Sequence, residues 1–138
     1  MIKYAAGYVG TLLVLLVVDL IWLGVIAKPL YSKGIGHLMS EQPNLCAAAA
    51  FYLIYPVGLI YFSVAPRNGA LSWSDTLLAA AVFGFIAYAT YDLSNLATLK
   101  GWPTHLAFID IVWGTVLSTL AAAGGKAAFD WTAAQALR

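Results

Sequence analysis

The sequence predicts an all-α integral membrane protein, a four-transmembrane-helix bundle with both termini on one side. Hydrophobic residues make up 62% of the 138-residue chain and charged residues 9%. The apolar residues gather into four runs, each near the roughly 20 residues needed to cross the hydrocarbon core. A third observation concerns the charge that remains. Of the six acidic residues, Asp19, Asp92 and Asp110 fall inside those runs.

Typical soluble domains carry roughly a quarter charged residues. A soluble chain of this length buries only about two thirds of its surface on folding, too little to hide this composition. Lipid is therefore the expected solvent and the first expected partner. A net charge of +1 without any run of Lys or Arg excludes nucleic acid as a partner and gives no electrostatic lipid anchor. A single cysteine, Cys46, excludes an internal disulfide.

The spans follow in order. The first covers residues 4–27 after Lys3. It exceeds the roughly 7–15 residues of a signal-peptide core and contains Asp19, so it reads as a retained helix. Loop one, residues 28–44, sets Tyr31, Ile35, Leu38 and Met39 on one stripe. That spacing fits a short interfacial helix, while Gly34 and Gly36 fit a coil. The second span, 45–65, contains Pro56, which predicts a kink. Arg67-Asn68-Gly69 in loop two reads as a turn before the third span, 76–98. Loop three holds Lys100-Gly101-Trp102-Pro103, and the fourth span, 106–123, is the shortest. The whole chain, 1–138, reads as a single membrane domain. Lys3, Arg67, Lys126 and Arg138 fall with the termini and Lys28, Lys33 and Lys100 on the other side, a bias that predicts cytoplasmic termini. The loop one and loop three side is called outer below.

An aspartate inside a span costs on the order of 2.5–3.5 kcal/mol at mid-helix, and no Lys or Arg lies within the runs to neutralise these. At 1.5 Å per residue, Asp19 lies roughly 13 Å before Lys28, Asp92 roughly 12 Å before Lys100, and Asp110 roughly 8–12 Å beyond loop three. All three carboxyls thus reach one level in one leaflet. Helical spacing puts Ala80, Gly84, Tyr88 and Asp92 on one face of span three, with Tyr91 and Asn95 beside them. Asp110, Trp113, Gly114, Leu117, Ser118 and Ala121 share a face of span four, and Tyr8, Thr11, Leu15, Asp19 and Trp22 one of span one. Span two brings Tyr52 and Tyr55 to the same end.

The candidate ligand-binding or proton-carrying residues are therefore Asp19, Asp92, Asp110, Tyr88, Tyr91, Asn95, Trp22 and Trp113. The alternative is that these aspartates are interhelical glue, worth about 0.6–2 kcal/mol each. His37 and His105 lie in outer loops without ligand spacing, so neither a metal nor a cofactor is expected. No nucleophile or phosphate loop names a reaction. If the protein is an enzyme, Asp92 and Asp110 divide acid and base roles.

The string Tyr88-Ala-Thr-Tyr-Asp-Leu-Ser-Asn-Leu-Ala-Thr-Leu-Lys-Gly-Trp-Pro103, with Asp110-x-x-Trp-Gly114, Asp19-x-x-Trp22 and Phe51-Tyr-x-x-Tyr55, resembles the prokaryotic family called domain of unknown function 2177. The resemblance covers nearly the whole chain. It implies a small multi-pass protein of the prokaryotic inner membrane with no established activity. It also implies an association with genes for fatty-acyl modification, which tilts the ligand toward lipid. Three functions stay open. The first is a pocket near the outer leaflet that binds or processes a lipid or fatty-acyl amphiphile. The second is a small proton-coupled transporter, which at this size requires a homo-oligomer. The third is a structural accessory subunit of a membrane complex.

Overall fold

A computed structural model describes residues 1–66 and 71–136. The turn read at Arg67-Asn68-Gly69 and the terminal Arg138 lie outside the described residues. Helix α1 (Ile2–Ile21) runs on through a π-helical turn (Trp22–Ile26). Helix α2 (Lys28–Ile35), started by Pro29 in its first turn, is followed by a 3₁₀ turn (Gly36–Leu38). Helix α3 (Leu45–Leu59) ends in a second π-helical turn (Ile60–Val64). Helices α4 (Trp73–Thr98) and α5 (Thr104–Gln135) complete the chain. Among the described residues four helices, Ile2–Ile26, Leu45–Val64, Trp73–Thr98 and Thr104–Gln135, are long and apolar enough to span a membrane.

The protein is apolar outside and partly polar inside, as lipid demands. Val17, Leu53, Ile54, Leu78, Phe108 and Val112 are exposed, whereas Thr11, Ser118 and all three span aspartates are buried. Several hydroxyls within the helices bond to the carbonyl one turn back. Thr11 donates to the Gly7 carbonyl (2.9 Å) and Thr115 to that of Ile111 (2.8 Å).

Helix α5 is the centre of the bundle, packing antiparallel on α1 along one face and on α4 along another. Small residues permit both approaches. A Cβ at Gly10 would stand 2.8 Å from the Gly124 carbonyl oxygen, and one at Gly125 would collide with the Thr11 hydroxyl. On the other face, a Cβ at Gly84 would meet Ser118 and the Gly114 backbone, and one at Gly114 would enter the Tyr88 ring.

These contacts correct the reading of the fourth span. Far from being the shortest, α5 is the longest helix at 32 residues. Gly124-Gly125-Lys126 reads as an ending, yet the glycines are where α1 packs, and Lys126 is only 3% exposed. Its ammonium pairs with Asp130 one turn on (3.0 Å) and sits 5.8 Å from the Trp73 ring centroid. A basic residue therefore does lie within a span, at the end of α5 away from the aspartates. The two ends of the chain meet there, Met1–Lys3 and Thr132–Ala136 lining one surface hollow.

Loop one is ordered at its start. Tyr31, Gly34 and Ile35 turn inward, and a Cβ at Gly34 would stand 3.2 Å from both Leu106 and Pro103. Leu38 and Met39, expected on the same stripe, are instead more than half exposed, because the helix gives way to a 3₁₀ turn at Gly36.

Substitution of the packed glycines tests this arrangement. Gly10→Ala and Gly114→Ala are each expected to destabilise the fold by about 1–3 kcal/mol, the usual cost of overpacking. Gly36→Ala, where an added Cβ meets nothing within 4 Å, should be near neutral. Unfolding titrations in detergent micelles read the difference.

Candidate functional site

The outer half of the bundle holds a small chamber of about 210 Å³, lined by Asp19, Leu23, Tyr31, Tyr88, Asp110 and Trp113. Each wall follows from the packing. Asp19 is the outermost buried residue of the Gly7, Thr11, Leu15 stripe of α1. Tyr88 is brought over Gly114 by the close approach of α4 and α5. Asp110 and Trp113 project from the first turns of α5, and Tyr31 closes the outer side from α2.

Asp19 is the hub between helices. Tyr52 of α3 donates its hydroxyl proton to Oδ2 (2.7 Å), and the Trp113 indole of α5 donates to Oδ1 (3.1 Å). The Trp113 ring stacks on Trp22 with centroids 4.2 Å apart and planes at 7°. Asp110 accepts a short hydrogen bond from the Tyr31 hydroxyl. Burial, reinforced by that bond, pushes the Tyr31 phenol above its ordinary value, so it stays protonated and donating across the physiological range. Nearby, Tyr55 lies 2.7 Å from Ser118 Oγ. Ser118 itself donates to the Gly114 carbonyl (2.6 Å), so Tyr55 is the donor of that pair.

Asp92 differs from the other two. It is 0% exposed, and among the described residues neither carboxyl oxygen has a well-formed hydrogen bond. The helix register places it opposite Asp110. Gly84 packs on Ser118 and Tyr88 on Gly114, so one more turn along each helix brings the two aspartates together, within electrostatic reach of each other. The Trp102 indole, also buried with its N–H unpartnered, lies beside Asp92.

A groove leads from this region to the lipid-facing surface. Helix α3 approaches α4 closely only through its terminal π-helical turn. Beyond it the helices part, and aromatic side chains span the gap. Phe62 stacks on Phe83 (5.8 Å), Tyr55 meets Phe83 (5.4 Å), and Tyr55 meets Tyr88 edge to face (6.4 Å). Between the helices lies a cavity of about 370 Å³ bounded by Phe51, Ile54, Tyr55, Gly58, Phe62 and Phe83. It adjoins one of about 380 Å³ bounded by Phe51, Tyr55, Ala87, Tyr88, Tyr91 and Asp110. Phe51 and Tyr55 belong to both, and Tyr88 and Asp110 belong also to the chamber.

Of the residues singled out in the sequence, Asp19, Asp110, Tyr88 and Trp113 line the chamber and Trp22 backs it. Tyr91 borders the groove and packs edge to face on Trp102 (5.9 Å). Asp92 is buried at the α4–α5 seam. Asn95 lines neither cavity, because it lies almost a full turn beyond Asp92, where α4 has passed the chamber. Tyr31 and Tyr52 complete the site without having been counted in it. The pairing of each phenol with a carboxyl is a long-range contact that no periodicity along one helix reveals.

Unequal satisfaction of the aspartates predicts unequal responses to the same change. Asp92→Asn breaks no well-formed hydrogen bond among the described residues and keeps a polar group of the same shape, so it should change stability by less than about 0.5 kcal/mol. Asp19→Asn weakens two interhelical hydrogen bonds and should lower it by about 1 kcal/mol. Thermal unfolding in one detergent compares them, and a larger loss at Asp92 would make that residue structural.

The model of the family described as a predicted membrane protein (DUF2177) matches residues 4–127. Neither a curated protein nor a solved structure shows significant similarity to the chain. The matched segment carries all but the first two residues of α1, the whole of α2 to α4 and all of the chamber, and the chain belongs to the DUF2177 family of predicted membrane proteins.

Proposed function

We propose that this integral membrane protein binds an amphiphile that enters sideways from the bilayer. The acyl chain lies in the α3–α4 groove, and the head group sits in the chamber of Asp19, Asp110, Tyr31, Tyr88 and Trp113. One observation carries the reading: an apolar groove, with Phe51, Phe62 and Tyr91 exposed along it, shares Tyr88 and Asp110 with a chamber that holds the carboxyls of Asp19 and Asp110. An apolar site with a few convergent polar groups is the usual form of a small-molecule site. A groove open toward hydrocarbon suits a ligand already dissolved there. The membrane is proposed to be a prokaryotic inner membrane.

The termini are proposed to be cytoplasmic. Lys126 was counted toward that bias from the sequence. It lies within α5 paired with Asp130, yet it still carries its charge on the side of the termini.

A transporter is the second reading. It is favoured by Asp92 and Asp110 facing each other with no basic residue beside them, an arrangement suited to exchanging a proton. Proton flux into liposomes holding the native chain would favour it over passive binding. Absence of both flux and bound amphiphile would leave the accessory-subunit role.

The groove is tested by photocrosslinking with a diazirine-bearing long-chain alcohol in nanodiscs. Labelling should map to peptides around Phe51 and Ala87. Ala87→Trp, which fills the groove, should reduce it by about tenfold, a loss of about 1.4 kcal/mol in binding. Val112→Trp, on the exposed face of α5, should leave it unchanged. Equal labelling of both variants would mean that the alcohol reports only the lipid surface.

A further inference from the structure

The charge inside the chamber is unbalanced. Asp19 and Asp110 line it and Asp92 faces Asp110 across the seam, while the one lysine buried in the bundle, Lys126, lies 16 residues along α5 from Asp110 (126 − 110). At the helix rise that is about 24 Å. Lys126 is also held by Asp130.

The protein's own donors answer only part of this charge. Tyr52 and Trp113 serve both oxygens of Asp19, and Tyr31 serves Oδ1 of Asp110. Asp92, fully buried, has only the Trp102 indole as a donor beside it among the described residues. Tyr52, Trp113 and Tyr31 are engaged by carboxyls and so are withheld from any anionic ligand. A carboxylate or phosphate placed here would meet like charges in a medium of low dielectric.

The remaining walls are aromatic. Tyr31, Tyr88 and Trp113 surround the space beside the two carboxyls, the surroundings that attract a positive charge through the ring faces as well as the acids. An inorganic cation fits less well. Among the described residues no three His, Cys, Asp or Glu side chains come together as a metal-binding group.

Resting on the lateral amphiphile site proposed above, we infer that its head group is a protonated amine. The ammonium lies in the chamber beside Asp110, against the rings of Tyr31, Tyr88 and Trp113, with Asp19 and the buried Asp92 adding negative charge around it, and its chain leaves past Tyr88 into the groove. An ammonium supplies what the site lacks, positive charge and an N–H donor for the Asp110 oxygen that Tyr31 does not engage.

The full chain in nanodiscs, tested against three probes of equal chain length, decides this. Dodecylamine, dodecanol and dodecanoate are titrated as competitors of the photoreactive alcohol, each corrected for partition into protein-free nanodiscs. Dodecylamine should compete at least about tenfold more tightly than dodecanol, with dodecanoate weakest. Asp110→Asn should remove most of the amine's advantage over dodecanol, and Asp92→Asn, which withdraws charge from the seam behind Asp110, should reduce that advantage by less. The comparison on the native chain stands even if one variant fails to fold. Equal competition by all three would overturn the amine while leaving the amphiphile site intact, and so would a preference for dodecanoate. Failure of every probe to compete would overturn both.

Discussion

A carboxyl group inside a bilayer must be kept from hydrocarbon, and the architecture of this protein follows from hiding three of them at one end of a small bundle. The solution centres on α5. Its small residues bring α1 and α4 against it, which carries Asp19 and Asp92 to the side of Asp110. Interhelical bonds from Tyr52, Trp113 and Tyr31 then tie α3, α5 and α2 to the acids. Close packing and polar pairing therefore belong to one design, since the second needs the register fixed by the first. In lipid, where apolar contact alone does not drive helices together, such pairing is also what distinguishes one arrangement from another.

The two π-helical turns give this frame its openings. In the first, the Ala27 N–H reaches back to the Trp22 carbonyl (2.7 Å), inserting an extra residue just after the turn that holds Asp19. Trp22 thereby stacks on Trp113, and the chain is delivered to α2 with Tyr31 facing inward. In the second, the Ala65 N–H bonds the Ile60 carbonyl (3.0 Å) where α3 meets α4. The helices touch at this turn and diverge above it, which leaves the groove. Such turns are frequent at functional sites because they re-aim side chains without ending a helix.

Much of this was legible in the sequence, and the misses have physical reasons. The four spans, the shared level of the aspartates and the buried faces of α1, α4 and α5 follow from apolar length and helical spacing, which are local properties. The length of α5 was misread because glycine and lysine commonly mark an ending. Here the glycines are contact points for α1, and the lysine is neutralised by Asp130 one turn later. Tyr31 and Tyr52 escaped the site because their partners are 79 and 33 residues away. Asn95 was included by proximity to Asp92 along the chain, and it falls beyond the chamber. The difference between a satisfied Asp19 and an Asp92 without a well-formed hydrogen bond among the described residues is a property of tertiary packing and leaves no trace in spacing.

The central claim is that a groove between α3 and α4 connects the bilayer with the aspartate chamber. A cryo-electron microscopy map of the protein in nanodiscs, rendered rigid by a bound antibody fragment, tests it most directly. An elongated density running from between Phe62 and Phe83, past Phe51 and Tyr55, and ending beside Asp110 is the expected result. Direct packing of α3 on α4 along their full length, with the chamber sealed from the lipid, would contradict it.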